Sequence, residues 1–240
     1  MIKLITFDLD NTLWEIDPVI VKADHAMREW IEQQVPAAVA RLERTAFLEL
    51  RKQVVSESPD IAYKPTYLRK KMLHRLFLDA NLSHDQATHM SEQAFEVFFH
   101  HRNQVQLFHD GEDMLKELCR DYRLIALTNG NAHLERIGIS QYFVAHFNAD
   151  TVAKPKPHAD MFLAALDFAG VQPQECVHIG DHPHEDVDAA AALGFHTIWF
   201  KSDYAATPPD DFQPAHTVTR LAQIPATIRA INQTLTGPVA

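Results

Sequence analysis

Four short stretches of the chain, at residues 2–7, 124–127, 176–179 and 197–200, are apolar without alternation. Each is rich in Ile, Leu, Val or Phe and is bounded by polar residues or glycine. A run that is apolar on both sides suits a strand buried on both faces of a parallel sheet. Between these runs the apolar period lengthens to that of a helix. Asp110 stands where it would cap a helix carrying Met114, Leu115, Leu118 and Cys119 on one face. Pro157 fits the first position of another, with Phe162, Ala165, Leu166 and Ala169 along its stripe. Residues 185–193 are alanine-rich and stop at Gly194, a helix terminator. Strands alternating with helices predict an α/β fold built on a doubly wound, Rossmann-like parallel sheet.

Residues 15–104 break the alternation. Segments 19–35, 37–56, 66–82 and 85–101 all carry an amphipathic helical pattern, punctuated by Pro36, Pro59 and Pro65, with Ser83 placed as an N-cap. The pattern predicts an inserted α-helical cap domain at 15–104, sitting over one end of the sheet. Residues 1–14 and 105–235 form the α/β core. The chain from Asn232 onward reads as frayed, with 236–240 as tail. There is no internal repeat.

Composition narrows the class. Of 240 residues, 46% are hydrophobic and 22% charged, the balance of a globular protein rather than a disordered one. No apolar run approaches the roughly 20 residues that span a bilayer, so no membrane partner is expected. The N-terminal stretch meets acids from Asp8 onward and does not read as a secretory signal. The cysteines are Cys119 and Cys176, both within apolar runs, too few for a disulfide framework or a four-cysteine zinc site, and a cytoplasmic location is the simplest. The formal charge is −10, from 22 Lys+Arg against 32 Asp+Glu, which argues against nucleic acid as partner. It leaves room for a small anionic substrate, because a divalent cation reverses the local sign. The 15 histidines are scattered, with no pair at zinc-protease spacing.

The chemistry-bearing residues gather where the predicted strands end. The first run leads into Asp8-Leu9-Asp10-Asn11-Thr12, the second into Thr128-Asn129-Gly130-Asn131, and the third into Gly180-Asp181 followed by His182-Pro183-His184-Glu185-Asp186. Two aspartates at spacing two share one side of an extended chain, and open parallel sheets bind ligands beyond the carboxyl ends of their strands. Each motif alone also has a plain reading. The first is a surface loop with solvated acids, and the second an Asn-Gly turn. In the third, Asp181 or His184 caps a helix whose dipole Glu185 and Asp186 complement. Lys154-Pro155-Lys156-Pro157 is either a solvated basic pair or a source of charge at a helix N-terminus. Together the strand ends bring Asp8, Asp10, Thr128 and Asp181 to one crevice. Acids crowded at one sheet edge call for a cation, and oxygen-only ligands point to Mg²⁺ rather than zinc.

In this order, DLDNT, LTNGN, KPKPHADMF and GDHPHED resemble the four motifs of the haloacid dehalogenase superfamily, over about residues 2–200. The helical insertion resembles the type-1 cap of subfamily I, and the nearest branch is the bacterial sugar- and nucleotide-phosphatase group that includes flavin mononucleotide phosphatases. The resemblance implies a Mg²⁺-dependent phosphatase of small phosphorylated metabolites. Asp8 would be the nucleophile, forming an aspartyl-phosphate, and Asp10 the acid and base. Thr128 and the Asn129 backbone would hold phosphoryl oxygens. Lys156 would neutralise the nucleophile and the phosphoryl group. Asp8, Asp181 and the carbonyl of Asp10 would ligate Mg²⁺, with Asp186 behind them orienting the lysine or a water on the cation. Between the two lysines, Lys156 is preferred, because Pro157 would start the helix beside it and Phe162 completes the family's spacing.

The same resemblance leaves other readings. The dehalogenases lack the second acid, so Asp10 favours phosphoryl transfer over carbon–halogen cleavage. A phosphomutase uses the same motifs, and a regulatory module that lost turnover would have little need of Asp10. The cap is expected to choose the substrate. Its dense basic stretch is Lys64, Arg69, Lys70, Lys71 and Arg75, of which Arg69 is taken as a substrate contact and the rest as a solvated face. His182 and His184 read as surface loop residues, and Phe95, Phe98 and Phe99 as cap core. A monomer or weak homodimer is expected.

Overall fold

A computed structural model describes residues 1–236. The chain divides into two compact units, Met1–Ile16 with Gln106–Ala240, and Asp17–Val105.

In the first unit, the described residues form a parallel six-stranded sheet. Its strands are β1 (Leu4–Phe7), β2 (Arg123–Thr128), β3 (Ala145–Asn148), β4 (Cys176–Gly180), β5 (His196–Phe200) and β6 (Thr217–Val218), in the spatial order β3-β2-β1-β4-β5-β6. That is the order of a doubly wound dinucleotide-binding fold, whose switch point lies between β1 and β4. The four apolar runs became β1, β2, β4 and β5. Strands β3 and β6 carry His146, Asn148 and Thr217 instead of an apolar run, and the hydrophobic pattern did not reveal them.

Side chains alternate across each strand, so Leu4 and Thr6 share one face with Cys176 and His178. Leu4, Ile125, Leu127 and Cys176 pack there with Met161, Phe162, Ala165 and Ala169. The last four lie on α7 (Asp160–Ala169). This helix begins three residues later than the expected start at Pro157. The other helices of this unit are α5 (Gly111–Asp121), α6 (Leu134–Ile137), α8 (Ala189–Ala192) and α9 (Ile224–Thr236).

Other expectations need correction. Asp110 does not cap α5 with its side chain. It adopts a left-handed backbone at φ 66° and its carboxylate accepts from Arg220 Nη2 at 2.8 Å. Met114, Leu115 and Leu118 are buried, but Cys119 is exposed. Residues 183–188 form a wide π-helical turn before α8, rather than one α-helix over 185–193. Gly194 ends that segment at φ 91°, a conformation open to glycine. Asn232 is not frayed: its Oδ1 accepts from the Ile2 N–H at 2.7 Å, and α9 continues to Thr236. Residues 237–240 of the expected tail lie outside the described residues.

The second unit is helical. It contains α1 (Asp17–Gln34), α2 (Arg44–Glu57), α3 (Pro65–Asp79) and α4 (His84–Arg102) around Met27, Ile31, Leu73, Leu76, Phe77 and Phe98. Ser83 caps α4 in a reciprocal box with Gln86, satisfying two orphan amides. The expected helix over 37–56 is instead a 3₁₀ turn at Pro36–Leu42 followed by α2, because Glu43 between them is extended. Phe95 stacks on Phe99 at 5.4 Å. Among the described residues, no helix is long and apolar enough to cross a membrane.

Candidate active site

The site begins with register. Phe7 pairs with Ala126 on one side and Ile179 on the other, so Asp8, the residue after β1, emerges level with Leu127 and Gly180. The Asp8 N–H still donates to the Ile179 carbonyl at 2.9 Å, which holds it in the line of the strand. Thr128 closes β2 and Asp181 follows β4. Side-chain chemistry from three strand ends thereby collects at the switch point.

Lys156 enters this group from the loop before α7. Its Nζ donates to Asp8 Oδ1 at 2.7 Å and to Asp186 Oδ1 at 2.5 Å, and the residue is 3% exposed. The clamp that places it is Asn129. The Asn129 Oδ1 accepts from the Lys156 N–H at 2.8 Å, while Nδ2 donates to the Lys156 carbonyl at 2.8 Å and to Glu185 Oε2 at 2.9 Å. Lys154 is exposed. The helix-start argument for choosing between the lysines therefore fails, since α7 begins at Asp160. What buries Lys156 is a side chain that pairs with both of its backbone groups.

Asp186 arrives from the π-helical turn and fills the space where the next inward residue of β4 would project. A Cβ on Gly180 would stand 2.3 Å from Asp186 Cγ, so only glycine leaves room. Asp186 Oδ2 accepts from the His182 N–H at 3.0 Å. His182, not Asp181 or His184, caps the turn, through Nδ1 to the Glu185 N–H at 3.1 Å.

Two residues without an assigned role belong to the cluster. Thr12 Oγ1 lies 3.1 Å from both Asp8 Oδ2 and Asp181 Oδ1. It stands four residues after Asp8, in a turn where Leu13 N–H bonds the Leu9 carbonyl. His178 Nε2 lies 3.1 Å from Asp186 Oδ1. A histidine inside an apolar strand was the available signal for the second. Thr12, within DLDNT, had no signal beyond its motif.

Asp10 is half-buried, and its Oδ1 accepts from Trp14 Nε1 at 2.8 Å. Thr128 Oγ1 accepts from the Gly130 N–H at 3.0 Å, which leaves its own proton to give. Arg69, the expected substrate contact, lies in α3 of the helical unit. Its Nη1 donates to Asp24 Oδ1 at 2.6 Å and its guanidinium covers the Phe98 ring at 3.6 Å, so its charge is matched inside that unit.

The electrostatics follow from burial and crowding. Burial pushes the Asp8 carboxyl well above the usual range; Lys156 opposes this, and the charges of Asp186 and Asp181 add to it. Burial, then Asp186, raises Asp181 to about 7 against the Thr12 hydrogen bond and Lys156. Asp186 is also buried, but the Lys156 charge and the bonds from His178 and Lys156 hold it below the usual range. Burial would lower Lys156, yet Asp186 and Asp8 raise it above an ordinary lysine. Burial lowers His178, against the hydrogen bond and charge of Asp186.

This donor set suits a hard cation. Carboxylate oxygens of Asp8, Asp181 and Asp186 lie within 4.8 Å of one another, without sulfur or imidazole among them. Asp8 and Asp181 are raised by burial first and by neighbouring acid charge after it. Asp186, expected behind the ligands, is part of this group.

Comparison with known proteins accords with the geometry. The sequence is 29% identical over 230 residues to the 5-amino-6-(5-phospho-D-ribitylamino)uracil phosphatase YigB of Escherichia coli K12, covering 95% of this chain and 96% of that one. It is 29% identical over 210 residues to the glyceraldehyde 3-phosphate phosphatase of Pyrococcus abyssi, covering 84% and 82%. The crystal structure of a 2-haloacid dehalogenase from Pseudomonas syringae pv. Tomato DC3000 superposes with a TM-score of 0.91 at 35% identity, over 96% of this chain and 99% of that one. The family model of the haloacid dehalogenase-like hydrolases matches residues 2–194, a span that holds every strand end of the cluster. The chain belongs to the haloacid dehalogenase-like hydrolases.

Proposed function

We propose that this chain is a Mg²⁺-dependent phosphatase that hydrolyses small phosphomonoesters through an aspartyl-phosphate on Asp8. The observation that carries the reading is the buried Lys156 ammonium wedged between Asp8 and Asp186, with Asp181 beside them and a further acid, Asp10, two residues along. The names of the Escherichia coli and Pyrococcus relatives support the phosphoester class.

Asp8 attacks phosphorus, and the phosphorus–oxygen bond to the leaving group breaks. Asp10, oriented by Trp14, gives that oxygen a proton and then takes one from the water that cleaves the acyl phosphate. The Thr128 hydroxyl and the Asn129 N–H hold phosphoryl oxygens, since the Asn129 side chain is committed to Lys156. Lys156 holds positive charge against the nucleophile and the transferring group. Asp8, Asp181 and the Asp10 carbonyl, with Asp186 adjacent, would hold Mg²⁺, which supplies charge against the phosphoryl oxygens when bound.

The dehalogenase likeness favours a second reading, carbon–halogen cleavage by the same Asp8. Asp10 weighs against it, since that chemistry needs no leaving-group acid. A panel of phosphomonoesters, including flavin mononucleotide, nucleotides, ribityl and triose phosphates, decides between them when run beside 2-haloacids. Orthophosphate release that stops in excess chelator and returns with Mg²⁺ is expected. Halide release without orthophosphate release would replace the first reading with the second.

A further inference from the structure

His178 is a buried ionisable side chain to which the phosphatase chemistry assigns no task. It is 1% exposed in the middle of β4, where its register partner in β1 is Thr6. Its ring stands edge-on to Phe162 at 5.0 Å. Nδ1 lies 2.8 Å from Thr6 Oγ1, and Nε2 lies 3.1 Å from Asp186 Oδ1.

Counting protons sets the direction of each bond. Asp186 Oδ1 also receives Lys156 Nζ, and a carboxylate has no proton to return, so Nε2 is the donor. With Nε2 turned to Asp186, Nδ1 is the ring nitrogen that faces the Thr6 hydroxyl. The single Thr6 hydroxyl proton then goes to Nδ1 at 2.8 Å rather than to the Val177 carbonyl at 3.5 Å. The chain of donors runs from Thr6 to His178 to Asp186.

We infer that His178, oriented by Thr6, is a positioning residue that fixes the Asp186 carboxylate and, through it, presents Lys156 to Asp8. Asp186 needs such a partner because it comes from a turn rather than from the strand whose space it fills. Its Oδ2 is held by one backbone amide. Without His178, Lys156 is the remaining partner of Oδ1, and its ammonium is shared with Asp8. A ligand's outer partner that also packs into the sheet restrains both.

Nitrogen-15 NMR of the full wild-type chain tests the bond directions without reference to activity. The neutral ring protonated at Nε2 is expected, and Thr6→Val should weaken that preference. A ring whose Nε2 carries no proton would overturn the inference. The kinetic arm rests on the phosphatase reading and uses a phosphomonoester that the wild type hydrolyses. His178→Met keeps the volume and removes the donor. It should lower kcat by roughly 10–100-fold with KM within about threefold. His178→Gln keeps an N–H at similar reach and should recover most of the rate. Equal losses in the two variants at matched melting temperature would reduce His178 to packing and overturn the inference. A wild type that releases no phosphate would sink the phosphatase reading instead, with the NMR result still deciding the bond directions.

Discussion

Lys154 and Lys156 are the same residue type, both followed by proline, and two positions apart. Nothing local distinguishes them. The difference is made by Asn129, which binds both backbone groups of Lys156 and turns its ammonium inward to Asp8 and Asp186. Lys156→Ala should lower kcat/KM by roughly 10²–10³-fold, the scale of losing one preorganised charge stabiliser. Lys154→Ala should cost under about tenfold, since its exposed charge is screened. Steady-state kinetics on the pair reads the difference, and a larger loss at Lys154 would reverse the assignment. Asp8→Asn should abolish turnover with the fold intact, because an amide is a very poor nucleophile. Asp10→Asn should lose about 10²–10⁴-fold by removing proton transfer. Near wild-type turnover in Asp8→Asn would rule out the covalent route.

At the scale of elements, strands buried on both faces announced themselves and edge strands did not. β1 and β4 read as apolar runs, broken at Thr6 and His178, because central strands of a parallel sheet are buried on both faces. β3 and the two-residue β6 sit at the edges, half of their positions are polar, and pairing with a neighbour is what makes them strands. The turn at Pro183–Asp188 is the clearest case of packing overriding pattern. Its acids and the alanines that follow it read as one α-helix, but Asp186 has a place to fill above Gly180, and the wider turn delivers it there. Gly180→Ala puts a Cβ against Asp186 Cγ, so the carboxylate must move. The expected outcome is a loss of about 1–3 kcal/mol in urea or thermal unfolding together with a fall in kcat. An unaltered kcat would show that the Asp186 position is not critical.

At the scale of the whole molecule, the cluster should make stability depend on pH and on any cation it binds. Asp8 is raised, and Asp181 rises from 3.8 to about 7, both first by burial. A raised carboxyl binds its proton more tightly folded than unfolded. Its stabilising contribution is complete below the unfolded value and is lost as pH climbs through the folded one. Asp186 and Lys156 titrate outside this window, the first below the carboxylate range and the second above the lysine range. The chelated protein should therefore lose melting temperature between about pH 4 and pH 7. Mg²⁺ that binds the folded cluster should raise the melting temperature at about pH 8 and flatten that slope. Differential scanning calorimetry with and without Mg²⁺ checks both, and identical curves would remove the cluster as the cation site.

The α/β class, a helical insertion after the first strand and the strands at the sheet centre were legible in the amino-acid sequence. Those rest on periodicity and on short motifs whose spacing is local. It also brought Asp8, Asp10, Thr128 and Asp181 to one edge, because residues after parallel strands share an end of the sheet. Folding, not local pattern, makes Asn129 select Lys156, joins Asp8 to Asp181 through Thr12, matches Arg69 with Asp24 and sets His178 against Asp186. Most of these contacts join residues far apart in the chain, across elements whose pairing no local pattern encodes. Thr12 is near in sequence to Asp8, but its second partner, Asp181, arrives with β4. Partner choice of this kind is set by strand register or helix packing and by which polar atom lies within about 3 Å of another, and these exist only once the elements have packed.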